Sequence, residues 1–122
     1  TMDRSGNVTF AGNVTAYSDE RLKTEIKTIE NPLDTISKLR GVTFKWKESG
    51  DDSMGVIAQE VEAIAETKCL VSETPEDGNG DINPKNVAYG NMVGLLIEGM
   101  KEQQTVINRL VQDIKDLKDK IK

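Results

Sequence analysis

Apolar residues change period several times along this chain, and each change predicts an element. Val8, Phe10, Val14 and Ala16 take alternate positions in a repeated Gly-Asn-Val-Thr unit across residues 6–17. That is the period of short strands joined at Gly-Asn turns. So short an array cannot bury its own apolar face, so it reads as the end of a longer β-rich region. Residues 18–30 are densely charged. Leu22, Ile26 and Ile29 suit one face of a short helix, while Ile26, Thr28 and Glu30 suit a strand edge equally well. Asn31 and Pro32 then predict an N-cap and a proline at the first helical position, with Leu33, Ile36 and Leu39 as an apolar stripe that stops at Gly41. Val42, Phe44 and Trp46 alternate with Thr43, Lys45 and Lys47, which predicts a half-buried strand, and residues 49–53 turn the chain. Val56 and Ile57 predict a short strand, and residues 59–66 a helix with Val61, Ile64 and Ala65 inward. Cys69, Leu70 and Val71 predict a further strand, followed by a turn-rich loop over 73–83.

The longest pattern comes last. From about Tyr89 to Lys122 there is no proline, and Leu96, Met100, Gln103, Ile107, Leu110, Ile114, Leu117 and Ile121 recur at steps alternating four and three. This is a coiled-coil seam over roughly residues 90–121. Isoleucine-rich a positions and leucine-rich d positions by themselves favour two strands. Val106 at g and Val111 at e widen the stripe beyond a two-stranded seam, and Gln103 is a polar d residue that needs a partner within a bundle. Asp113 at g and Lys118 at e are placed to pair between parallel helices. The expectation is a parallel homotrimer; the alternative is a helix folded back on its own domain.

The fold class is therefore α+β: a small mixed domain of short strands and helices followed by a long C-terminal helix. A length of 122 residues fits one domain. With 36% hydrophobic and 4% aromatic residues, a single copy has little with which to build a core, and self-association would supply the missing burial. A net charge of −5 argues against nucleic acid, whose phosphates need clustered cations. No apolar run approaches the roughly 20 residues of a membrane span, and no signal segment opens the chain, so a soluble protein without membrane contact is expected. The lone Cys69 reads as a buried, inert thiol in a reducing compartment. Asn7 and Asn13 open Asn-Val-Thr sequons that nothing connects to secretion. Asp77, Asn79 and Asp81 imitate the first ligands of a calcium loop, but Ile82 stands where that loop needs glycine and Ala88 where it needs glutamate. No metal and no cofactor are expected.

The chain has no histidine, which removes Ser-His-Asp, Cys-His and zincin chemistry together. A hydroxyl paired with a neutral lysine remains available, and Ser18 with Lys23 is the obvious pair. Their spacing sets them roughly 140° apart on a helix and on opposite faces of a strand, so they meet only across a bend or between chains. Spacing alone leaves open that Ser18 is an N-cap and Lys23 a solvated charge.

The string Ser18-Asp19-Glu20-Arg21-Leu22-Lys23, with Ile26 beyond it, resembles the opening signature of the peptidase S74 family. That family comprises intramolecular chaperone domains at the C-termini of bacteriophage tail fibres, tailspikes and endosialidases, with a relative in myelin regulatory factor. Residues 55–61, GVIAQEV, resemble its internal segment, residues 39–46 are similar to its strand, and Val87-Ala88-Tyr89 leads into a long helix as it does there. The resemblance spans residues 18 to about 110. It implies that residues 1–17 end an upstream β-rich fibre or spike region, and that residues 18–122 assemble three chains, assist folding of that region and then cut themselves off. Assembly would take place in the host cytoplasm, with the parent protein in the virion tail. Carried over by position, Ser18 is the nucleophile, Lys23 its general base, and Tyr17–Ser18 the scissile bond, attacked by the hydroxyl that follows it as in an N-to-O acyl shift. Asp19 and Arg21 match the motif as ion-pairing residues that shape the bend; Gln59 and Glu60 match as helix-start or trimer-contact residues. A basic Lys23 must be desolvated or lie near another cation, for which Arg21 is the nearest candidate. Two other readings stand beside this one. The first is a purely structural trimeric coiled coil in which Ser18 only caps a helix. The second is a membrane-anchored transcription-factor relative, disfavoured by the lack of a spanning run and by the Gly-Asn-Val-Thr repeat.

Overall fold

Asn31 and Pro32 start helix α1, Pro32–Lys38, where the sequence places it, but by backbone rather than side chain. Asn31 adopts a left-handed conformation, φ 50° and ψ 49°, and its side chain caps nothing. It turns the chain so that Pro32 enters the first turn with φ already helical. This computed structural model describes residues 6–74 and 83–121. The calcium-like residues Asp77, Asn79, Asp81 and Ile82, and Lys122, lie outside them.

Strands β1, Val42–Lys45, and β2, Asp52–Gly55, form an antiparallel hairpin with Val42 opposite Gly55 and Lys45 opposite Asp52. The second strand thus precedes the expected one at Val56 and Ile57. The turn closes early, because Trp46 N–H donates to the Asp51 carbonyl and Gly50 N–H to the Trp46 carbonyl, with Gly50 at φ 75°. Helix α2, Ala58–Glu62, is shorter than residues 59–66. The buried Thr67 hydroxyl donates to the Val61 carbonyl at 2.9 Å, taking an acceptor that a longer helix would use. Val61 and Ile64 are buried as expected; Ala65 is exposed. Residues 68–70 form a 3-10 turn, so strand β3 begins only at Val71 and runs to Glu73. Cys69 lies in that turn and is exposed, not buried. Strand β4, Lys85–Val87, pairs antiparallel with β3, and Lys85 Nζ bonds both Glu62 carboxylate oxygens at 2.9 Å and Glu73 at 3.2 Å, tying this second hairpin to α2.

Helix α3, Met92–Ile121, carries two faces. Leu95 and Gly99 are buried, and Gly99 lies so close to α1 that a Cβ there would collide with Ile36. One turn on, Glu102 accepts the Leu33 N–H at 3.2 Å, satisfying one of the orphan donors of the first turn of α1. Val106, next on this side, is half-buried. The proximal helix therefore does fold back on its own domain, yet with a face about 100° round from the heptads, since Leu95 and Gly99 each directly precede a heptad residue. Leu96, Met100, Ile107, Leu110, Ile114, Leu117 and Ile121 are each at least half exposed, and Gln103 is exposed too. Gly99→Val should cost about 1–3 kcal/mol by overpacking the α1–α3 contact, read as a lower urea midpoint at fixed protein concentration.

The fold is α+β, as its patterns predict, with a core made of Val61, Ile64 and Leu95 beside Pro32, Thr35 and Thr67. The N-terminal repeat does not form the expected strands: residues 6–17 hold only an isolated bridge at Val8. Without neighbouring strands the repeat has no ladder to complete.

Candidate functional site

Ser18 and Lys23 meet. Between them the chain makes a single 3-10 turn, Glu20–Leu22, which is the first of the two ways their spacing allowed, a bend within one chain. Leu22 N–H donates to the Asp19 carbonyl and Lys23 N–H to the Glu20 carbonyl, both at 3.0 Å. Lys23 then leaves in extended conformation, and its Nζ donates to Ser18 Oγ at 2.8 Å.

The cap of this turn is Asp19, so Ser18 is not the N-cap. Asp19 Oδ1 accepts the Arg21 backbone N–H at 2.8 Å. The Arg21 guanidinium folds back on the same carboxylate, Nε at 3.1 and 3.2 Å from its two oxygens and Nη2 at 2.7 Å from Oδ2. The guanidinium first, and then the backbone N–H, hold the Asp19 carboxyl below its usual range, and Asp19 raises Arg21 in turn. A lowered carboxyl contributes to the turn above the ordinary carboxylate range, and that contribution is lost as pH falls through the lowered value. Both side chains are well exposed, so salt weakens the pair. The cation expected to press on Lys23 is thus matched by Asp19. Ser18 and Lys23 are exposed, as is Tyr17 at 94%, and Tyr17, Asp19, Arg21 and Leu22 line an open groove beside the Tyr17–Ser18 bond.

Gln59 and Glu60 stand apart from this turn. Glu60 is held by Arg40 through two bonds, 3.0 Å to Nε and 2.6 Å to Nη2, which fasten α2 to the segment between α1 and β1. Arg40 lowers the Glu60 carboxyl and is itself raised by it. Gln59 is exposed on the same helix. Sequence reasoning missed Tyr89. Its hydroxyl accepts the Val56 N–H at 3.1 Å, and it occupies the space that a Cβ at Gly55 would need. The GVIAQEV and Val87-Ala88-Tyr89 blocks therefore touch each other, and the glycine opening the first block is the one signal from which a close approach could have been read. Among the described residues, no helix is long and apolar enough to cross a membrane.

Residues 18–70 match the Peptidase_S74 family, described as chaperone of endosialidase. The match begins at Ser18 and takes in the turn, α1, the first hairpin and α2. The chain is 32% identical over 125 residues to the long tail fiber protein Gp37 of Salmonella phage S16, covering 96% of this chain and 16% of that protein. It is 33% identical over 105 residues to the Gp37 proteins of Enterobacteria phages K3 and T2, covering 82% of this chain and 8% of each. It therefore spans less than a fifth of the length of these relatives. A crystal structure described as that of a novel intramolecular chaperon superposes with a TM-score of 0.51 at 22% identity, covering 72% of this chain and 98% of that one. That last likeness is one of fold.

Proposed function

Since this chain belongs to the Peptidase_S74 family, the chaperone of endosialidase, we propose that it is the intramolecular chaperone of a phage tail fibre. In this reading residues 1–17 end the β-rich fibre region, and residues 18–122 join three chains through α3, assist folding of that region and then release themselves. The work is done in the host cytoplasm during assembly, and the parent fibre belongs to the virion tail. The observation that carries the cleavage step is the 2.8 Å contact from Lys23 Nζ to Ser18 Oγ at the start of the family match.

The chemistry needs no cofactor. Lys23, as free amine, takes the Ser18 hydroxyl proton while Oγ attacks the Tyr17 carbonyl carbon. The tetrahedral intermediate collapses with the C–N bond breaking, and the Lys23 ammonium returns its proton to the leaving Ser18 nitrogen. Tyr17 is then esterified to Ser18 Oγ. Water hydrolyses the ester, freeing a Tyr17 carboxylate and restoring the hydroxyl. A free amine requires removal from water or a neighbouring positive charge. Lys23 is exposed in the single chain, and in this reading assembly encloses it.

The order of events has a physical reason. Pairing between the chains of a β-fibre is non-local and slow, whereas a terminal coiled coil forms from local contacts, raises the effective concentration of the three chains and sets their register. Cleavage only after assembly leaves the released fibre kinetically trapped. Intact-mass spectrometry of the purified chain should show a species beginning at Ser18 and a peptide of residues 1–17. An uncut chain that still assembles would overturn the cleavage step and leave a trimeric assembly module.

A further inference from the structure

A 3-10 turn of three residues has little stability of its own, because its hydrogen bonds are poorly aligned and few. The Glu20–Leu22 turn gains nothing from packing: none of its residues is buried, and residues 6–31 are exposed throughout. Yet this turn alone brings Ser18 to Lys23. An extended chain would hold residues five apart about 16 Å from each other, beyond the reach of a lysine side chain. What remains to hold the turn is Asp19, which takes the Arg21 N–H as a helix cap and the Arg21 guanidinium as a two-pronged clasp.

We infer that Asp19 is the positioning residue of the self-cleavage reaction, fixing through Arg21 the fraction of time for which Ser18 and Lys23 are in contact. The inference rests on the cleavage reading above. Asp19 is not an alternative base: its two oxygens already accept three N–H groups of Arg21, and a carboxylate so engaged is a poorer proton acceptor. Its effect is on population. The rate of cleavage scales with the closed fraction of the turn, and loss of the cap and clasp lowers that fraction. Because the residues are exposed, their loss leaves the domain and its assembly intact.

Two measurements on the full chain test this. In the first, Asp19→Ala slows release of residues 1–17 about tenfold, and Asp19→Asn restores most of the rate, because its amide oxygen still accepts the Arg21 N–H. Chain mass by light scattering stays unchanged in both. In the second, Ser18→Ala stops the chemistry, and amide–amide NOE intensities across residues 20–23 report closure of the turn, in which the Leu22 and Lys23 N–H groups bond the Asp19 and Glu20 carbonyls; adding Asp19→Ala should lower them by a similar factor. If Asp19→Ala leaves either the cleavage rate or these intensities unaffected, or if Asp19→Asn fails to rescue, the positioning role is overturned. If the unsubstituted chain is never cut, the cleavage reading fails, and the positioning role fails with it; the NOE intensities then still show whether Asp19 closes the turn.

Discussion

Lys23→Arg abolishes release of residues 1–17 while the chain continues to assemble, and Ser18→Ala does the same. Arginine preserves a positive charge and a donor that can reach Ser18 Oγ, as Lys23 Nζ now does. It cannot lose its proton, so it cannot take one from the hydroxyl. Ser18→Ala removes the attacking atom itself. Knockouts of a nucleophile or its base in serine hydrolases cost about 10⁴-fold or more, so intact-mass spectra collected over days should show only the uncut chain. Both residues are exposed and contribute no packing, so neither change should alter the mass seen by light scattering. Lys23→Arg cutting at the rate of the unsubstituted chain would remove Lys23 as the base.

Ile107→Asp combined with Leu110→Asp should turn the proposed trimer into single chains. Beyond Val106 every described residue of α3 is exposed, so within one chain nothing packs on residues 107–121. An isolated helix of about that length is marginal in water, and its apolar seam needs other helices. Isoleucine and leucine at these a and d positions would lie at the centre of the bundle, where an unpaired carboxylate costs several kcal/mol, and each chain would contribute two. Multi-angle scattering at micromolar concentration should give the mass of three chains before the substitutions and of one after them, with helicity falling in circular dichroism. A single-chain mass for the unsubstituted protein would end the trimer proposal. If assembly encloses Lys23, release of residues 1–17 should also stop in the doubly substituted chain, although Ser18 and Lys23 are untouched.

Much of the fold was legible because it is written in local periods. Asn31-Pro32 marked the start of α1, alternation at Val42 and Phe44 marked β1, and the absence of proline with a four-three repeat marked α3. Such features depend on which residues lie within one or two turns of each other, and chain order determines that. The tertiary structure decided what depends on partners far away in sequence or on a particular turn. Thr67 ends α2 early, the Trp46–Asp51 turn shifts the second strand to Asp52–Gly55, and Cys69 is left exposed in a 3-10 turn. Gly99, which interrupts the apolar pattern of α3, becomes a place where α1 packs too close for a side chain, leaving the heptad face outward. The sequence named Ser18 and Lys23 as a pair and showed that they could meet only across a bend or between chains. Only the folded chain supplied that bend, because five polar or charged residues and one leucine have no period to read; Asp19 closes the turn through bonds to Arg21 that hydrophobic patterning does not encode.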